Sequence, residues 1–201
     1  MNVLRNQDTR LSTAVKSSDS INQAYNTSAV LSDHDNERRY SVSVMQEKTD
    51  VFSPGKYSVF EIADWFLSKD DMTHKKLQKL CYYAQAWCYA LKGYRLEDTD
   101  FQAWVHGPVS PALWERFKSF GYDVIHMSCD KNFNINDEDL NLLEDVWDTY
   151  GEDSGNALEM LTHRELPWIE ARRGYEPDER CSVVISPETM TSFYRSIYSG
   201  E

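Results

Sequence analysis

The 201-residue chain has only four cysteines, Cys81, Cys88, Cys129 and Cys181. None belongs to a CxxC pair or finds a histidine at zinc-ligand spacing, so neither a disulfide scaffold nor a structural zinc is expected, and the thiols read as reduced. Long apolar runs are missing as well. Nothing approaches the roughly 18 to 20 apolar residues that span a bilayer. The start MNVLRNQDTRLSTAV has no apolar stretch leading to a cleavage signal, and a cytoplasmic protein with no membrane association is expected. Basic residues are in deficit, 21 Lys/Arg against 33 Asp/Glu, for a net charge of −12. Residues 1–56 hold seven of each sign, so the excess lies in the remainder, 26 acids against 14 bases. Such a balance repels phosphate backbones and favours cationic protein partners over nucleic acid. Also lacking are GxxxxGK[ST], GxGxxG, HExxH and any paired-carboxylate metal motif. No cofactor is expected.

Large side chains are plentiful. Hydrophobic residues make up 41% of the chain, with 6 Trp and 12 Tyr, enough to bury one core without metal or disulfide support. They are unevenly spread. Residues 1–56 are rich in Ser, Asn, Asp, Gln and Thr, with only Tyr25, Tyr40 and Phe52 as aromatics. This part reads as a largely disordered extension, with a weak helical pattern around Leu11–Tyr25 broken by Ser17-Ser18-Asp19-Ser20. Residues 57–201 read as the folded domain.

Within the domain the pattern is mainly helical. Ser58 and Glu61 form the spacing of a capping box, with Tyr57 and Ile62 as a staple. From Thr73 to Lys92, Leu77, Leu80, Cys81, Ala84, Trp87, Cys88 and Leu91 recur at helical spacing, and Gly93 ends the run. Phe101–His106 alternates as a strand that Tyr122–Met127 could pair with in a small antiparallel hairpin. Between them Ser110 caps and Pro111 opens a helix that carries Leu113, Trp114 and Phe117 and stops before Gly121. A further helix from Asp137 buries Leu140, Leu143, Val146, Trp147 and Tyr150 and exposes acids. A helix at Ser154–Thr162, a Pro167-Trp168 turn with Trp168 and Ile169 packed under it, and a final helix opened by Ser186-Pro187 complete the chain.

Three groups of residues stand out as candidates for contacting a partner. The first is Trp104-Val105-His106-Gly107-Pro108, where a strand runs through Gly and Pro into a capped helix. Gly107 permits backbone conformations closed to other residues, and the prolines reduce the entropy lost on ordering. The second is the helix start Thr73-His74-Lys75-Lys76-Leu77-Gln78-Lys79-Leu80, in which Lys75, Lys76 and Lys79 form a basic patch, balanced in the plainer account by Asp70 and Asp71; Tyr83 follows on the same helix. The third is the acidic face with Asp139, Glu144, Asp145 and Asp148. His163 reads as structural, and Cys81 and Cys88 as buried thiols. Either cysteine could be paired with His106 or His163 on paper, but nothing local signals a nucleophile and base, and no enzyme is expected.

Leu77-Gln78-Lys79-Leu80-Cys81-Tyr82-Tyr83-Ala84-Gln85, Phe101-Gln102-Ala103-Trp104, His106-Gly107-Pro108-Val109-Ser110-Pro111, Leu161-Thr162-His163, Pro167-Trp168 and Ala171-Arg172 together resemble the SocA-like Panacea family. The resemblance runs over roughly Tyr57 to Tyr198. It implies a compact, mainly helical domain with a small antiparallel hairpin, found also in phage-associated and mobile-element proteins. It further implies an antitoxin in a two-gene toxin–antitoxin system, which neutralises its cognate toxin by direct protein binding. SocA itself is an adaptor that delivers a toxin to a Clp protease, so a proteolytic adaptor is the alternative, as is a modulator of a host protein. Some relatives add an N-terminal DNA-binding domain, but residues 1–56 show no two-helix apolar pattern or basic recognition helix. Whether the chain forms a homodimer stays open.

Overall fold

The computed structural model describes residues 54–126 and 132–199. The expectations for residues 1–53 and Cys129 lie outside them. Among the described residues the chain forms seven α-helices and four short strands, so the mainly helical expectation holds. Helix α1 (Val59–Lys69) begins at Ser58, whose hydroxyl accepts from the Phe60 amide at 3.3 Å. The capping box does not close. Glu61 instead accepts the Asn134 amide at 3.0 Å, and Asp98 supplies the anion at this helix start by accepting the Val59 amide at 2.7 Å.

Helix α2 (His74–Lys92) is the axis of the domain. Thr73 caps it and Gly93, left-handed at φ 76°, closes it. Fifteen of its 19 residues are buried, so it is enclosed on all sides rather than along the single stripe expected. Leu91 is the exception, exposed although placed on that stripe. Around α2 pack α1, α3 (Pro111–Phe117), α4 (Asp137–Tyr150), α5 (Gly155–Thr162) and α7 (Pro187–Ser199). The core is tyrosine-rich. Tyr83 and Tyr150 stack at 3.9 Å, and Trp87 donates its indole N–H to the Tyr150 hydroxyl at 3.0 Å. Each large side chain so buried contributes about 1.5–3 kcal/mol, provided its polar tip is satisfied.

Two small sheets replace the single hairpin expected. β2 (Gln102–Trp104) pairs antiparallel with β3 (Gly107–Val109), in register Gln102↔Val109 and Trp104↔Gly107. β1 (Met72–Thr73) pairs with β4 (Val124–Ile125). Gly107, at φ 93°, lets the chain reverse immediately after His106. β2 therefore meets its own continuation first, and the later segment pairs with residues just ahead of α2. Beyond α5, a short helix α6 (Leu166–Ala171) stands where a turn was expected. Pro167 lies in its first turn, where a missing N–H costs no hydrogen bond. Ile169 is 44% exposed rather than packed beneath it.

Candidate protein-contact site

The Trp104–Pro111 segment is fixed from below by α2. Gln78, itself 2% exposed, accepts the Ser110 amide at 2.8 Å and donates to the Ser110 carbonyl at 3.2 Å. Its side-chain amide thus satisfies both backbone groups of the residue that caps α3, whose hydroxyl accepts the Leu113 amide. The same Gln78 nitrogen lies 2.9 Å from Nε2 of His74. Because glutamine can only donate there, His74 Nε2 is the acceptor and the ring is neutral. Burial, reinforced by the Lys79 charge, lowers the His74 pKa to about 4.

Lys79 reaches the other side of the turn and donates to the Pro108 carbonyl at 3.0 Å. A Cβ on Gly107 would sit 2.7 Å from Lys79 Cε and 2.8 Å from Thr162 Oγ1. Close approach and positive φ together restrict this position to glycine. Burial pushes the Lys79 pKa down to about 7, opposed by Glu159 and aided by Lys75. From the far side, Trp168 donates its indole N–H to the Trp104 carbonyl at 3.0 Å and Arg172 donates to the Ala103 carbonyl at 3.0 Å. His163 stacks on Trp168 at 4.0 Å, the structural role expected of it.

The basic patch is not a surface feature. Lys75 bonds Glu159 at 2.5 Å and Asn156 at 3.0 Å, and Lys76 donates to the Gly151 carbonyl. Lys79 and Tyr83 are 1% and 0% exposed. Asp71 pairs with His126 instead of with a lysine. These lysines are long enough to cross to α5 and the α4–α5 junction, and there they meet carbonyls and a carboxylate. Gly107 and Pro108 are buried too. What the turn shows outward is His106, whose side chain is 72% exposed and bonds Glu159 at 2.9 Å, and the half-buried Trp104. Burial works to raise the Glu159 pKa, but the Lys75 and His106 hydrogen bonds outweigh it and hold the carboxyl below its usual value.

Trp114 is 39% exposed and tilts against Trp104 with ring centroids 5.6 Å apart. Lys118 lies 5.2 Å over its ring. Two adjacent tryptophans on a braced turn form an amphipathic, low-entropy surface of the kind enriched at protein interfaces. A period-3.6 reading places Trp114 next to Leu113 without deciding which of them faces the core.

The acidic face separates into unlike residues. Asp139 is 0% exposed, correcting its placement at the surface. Its oxygens accept from Lys56 at 2.6 Å, Lys92 at 2.9 Å, Tyr57 at 2.8 Å and Tyr94. Leu142 is buried where Leu140 and Trp147 were expected, and those two are half-buried. Glu144 pairs with Lys69 at 2.5 Å, Asp145 is half-buried and engaged, and Asp148 is exposed. As for chemistry, burial pushes the Cys81 and Cys88 thiols well above their ordinary pKa, which keeps them protonated and poorly nucleophilic.

A helical domain with a braced aromatic turn is therefore the setting of every motif quoted from the sequence. Residues 77–169, from the middle of α2's first half to α6, match the family model for the antitoxin SocA-like, Panacea domain. No curated protein and no solved structure gives a significant match. No helix among the described residues is long and apolar enough to cross a membrane.

Proposed function

We propose that the chain is a cytoplasmic, non-enzymatic antitoxin that neutralises a toxin protein by binding it stoichiometrically. The match of residues 77–169 to the antitoxin SocA-like, Panacea domain carries this reading. The surface that fits the task best is the Trp104–Trp114 pair with His106 beside it, because its backbone is fixed before any partner arrives. A preorganised aromatic surface loses little entropy on binding. The acid excess of residues 57–201 favours a cationic partner and speeds encounter with it. Covering a cationic surface that a toxin uses to hold RNA or a nucleotide would block its action.

The test is co-expression with the neighbouring gene product in a Clp-deficient host, scoring growth and co-purification. Rescue with a one-to-one complex supports sequestration. Rescue only when the protease is restored moves the reading to a proteolytic adaptor, and rescue at strongly substoichiometric levels to an enzyme. Replacing Trp104 and Trp114 together by Ala should abolish the complex while the circular dichroism spectrum stays that of the parent. A folded double variant that still binds removes this face from the interface.

A further inference from the structure

The outward side of α3 already holds a cation, and the cation is the chain's own. Lys118 follows Trp114 by one helical turn, lies 5.2 Å over its ring and donates to the Glu115 carboxylate at 2.5 Å. Both partners stand within four residues of it, so these contacts tie no two elements together. Trp114 is exposed, and the side chains of Glu115 and Lys118 are 65% and 45% exposed. Arg116, between them in sequence, behaves differently. It crosses to Asp64 of α1 at 3.0 Å and lies 5.0 Å over the rings of Phe60 and Phe117. An ion pair and a cation–π contact that both face water are each weak. Lys118 is therefore held loosely, and a cation that fits the same two groups better can displace it.

We propose that Trp114 and Glu115 form a subsite for an arginine side chain of the partner protein, occupied in the free chain by Lys118. The inference rests on the protein-contact reading of this face and narrows what the partner must present. A guanidinium outcompetes an ammonium here for two reasons. It is planar and weakly hydrated, so it lies flat on an indole that an ammonium meets only as a point charge, and its fork of donors matches both oxygens of a carboxylate. Trp104 keeps the receiving ring in place. It packs against Trp114 at 5.6 Å, while its own indole N–H is committed to Gln102 at 2.8 Å and its carbonyl to Trp168. The ring is thus oriented before a partner arrives. Charge points the same way, since 26 acids against 14 bases in residues 57–201 draw a cationic protein toward this domain.

The peptides Gly-Arg-Gly, Gly-Lys-Gly and Gly-citrulline-Gly test the subsite without any toxin. The readout is the indole N–H NMR signal of Trp114 in the full chain, assigned by its loss in Trp114→Phe. The slope of its shift against peptide concentration, at fixed ionic strength, gives relative affinity. The arginine peptide should give the steepest slope and the lysine peptide a lesser one. Citrulline, which has the shape of arginine without its charge, should give close to none. Lys118→Ala should raise the arginine slope about two- to fivefold, because the resident competitor is gone. Adding Glu115→Gln to that variant should lower it again by about twofold. Equal slopes for arginine and citrulline, or an arginine slope that Lys118→Ala lowers or leaves unchanged, overturns the proposal. The same variants in complex with the neighbouring gene product separate it from the antitoxin reading. Tighter binding by Lys118→Ala supports both. A complex that neither substitution alters overturns the arginine contact and leaves the antitoxin standing. If no complex forms, the antitoxin reading falls and the peptide slopes still decide the subsite.

Discussion

Asp139 and Glu165 are equally buried, at 0% and 3% exposure, yet the protein holds them in opposite charge states. Burial opposes ionisation of both. Around Asp139 the opposition is overcome by hydrogen bonds from Lys56, Tyr94, Lys92 and Tyr57, and its pKa lies well below the usual carboxylate range. Around Glu165 only hydroxyls are available, from Tyr194 at 2.8 Å and Tyr83 at 3.4 Å. Burial wins there and pushes the pKa up to about 8. Glu97 extends the contrast, for neither of its buried carboxyl oxygens has a partner and burial raises its pKa well above the usual carboxylate range. Depth alone therefore does not set the charge of a carboxyl group in this core. The presence of a cation does, and it divides the molecule into an ionic clasp joining Lys56, the end of α2 and the start of α4, and a neutral tyrosine cluster between α2 and α7.

The largest effect should come from discharging the clasp. Asp139→Asn leaves Lys56 and Lys92 facing a neutral amide whose nitrogen cannot accept their protons. We expect a loss of about 2–3 kcal/mol, or roughly 6–10 °C in Tm, read by urea and thermal unfolding. Its pH dependence follows from the sign. A lowered folded pKa means that the stability is present above the unfolded value of 3.8 and is lost as the pH falls through the lower folded value. The variant should lack that part of the acid limb. If Asp139→Asn unfolds at the parent's urea midpoint at pH 7, the clasp is not ionic.

Glu165→Gln should have the opposite pH signature and a smaller effect. The raised folded pKa makes its contribution fully present below 4.5 and lost as the pH rises through about 8. Near pH 5 the variant should cost about 1 kcal/mol, the worth of an altered hydrogen bond. Near pH 9 it should match or exceed the parent, because it cannot ionise. Unfolding curves at the two pH values separate the outcomes. An unchanged difference between parent and variant would mean that Glu165 is charged throughout, and the comparison with Asp139 would collapse.

The elements of this contrast were unequally legible in the sequence. The capped helix starts at Ser58 and Ser110 depend on neighbours within four residues, and the structure keeps those two caps. The special status of Gly107 was legible for the same local reason. Asp139 was not, because its partners stand 83 to 45 residues away in the chain, and a helical wheel crowded with acids offers no sign that one of them turns inward to meet lysines. The lysine patch failed similarly. Lys75, Lys76 and Lys79 are adjacent in sequence, but each finds its own partner on another element. The hairpin was misplaced because both alternating segments could serve as strands, and only the tight reversal at Gly107 decides between them. At the proposed contact face, Trp104 and His106 were legible as part of an unusual turn. Trp114 was hidden by its place among apolar neighbours.

Two milder substitutions sharpen the comparison. Lys92→Met removes one of Asp139's two cations and leaves the other, along with both tyrosines. Its amine also donates to the Glu138 carbonyl at 2.6 Å, so a loss of about 1 kcal/mol is expected, clearly less than that of Asp139→Asn. The smallest effect should come from Glu144→Ala. Its pair with Lys69, at 2.5 Å, is shorter than either ion pair of the clasp, but the two side chains are 47% and 28% exposed. Water solvates both ions whether or not they meet, and Lys69 retains the Trp65 ring 4.5 Å away as a second resting place. The change should therefore cost under about 0.5 kcal/mol and fade further in salt. Urea unfolding of both variants at low and high salt provides the measurement. A Glu144→Ala loss as large as that of Lys92→Met would mean that proximity rather than desolvation governs these pairs.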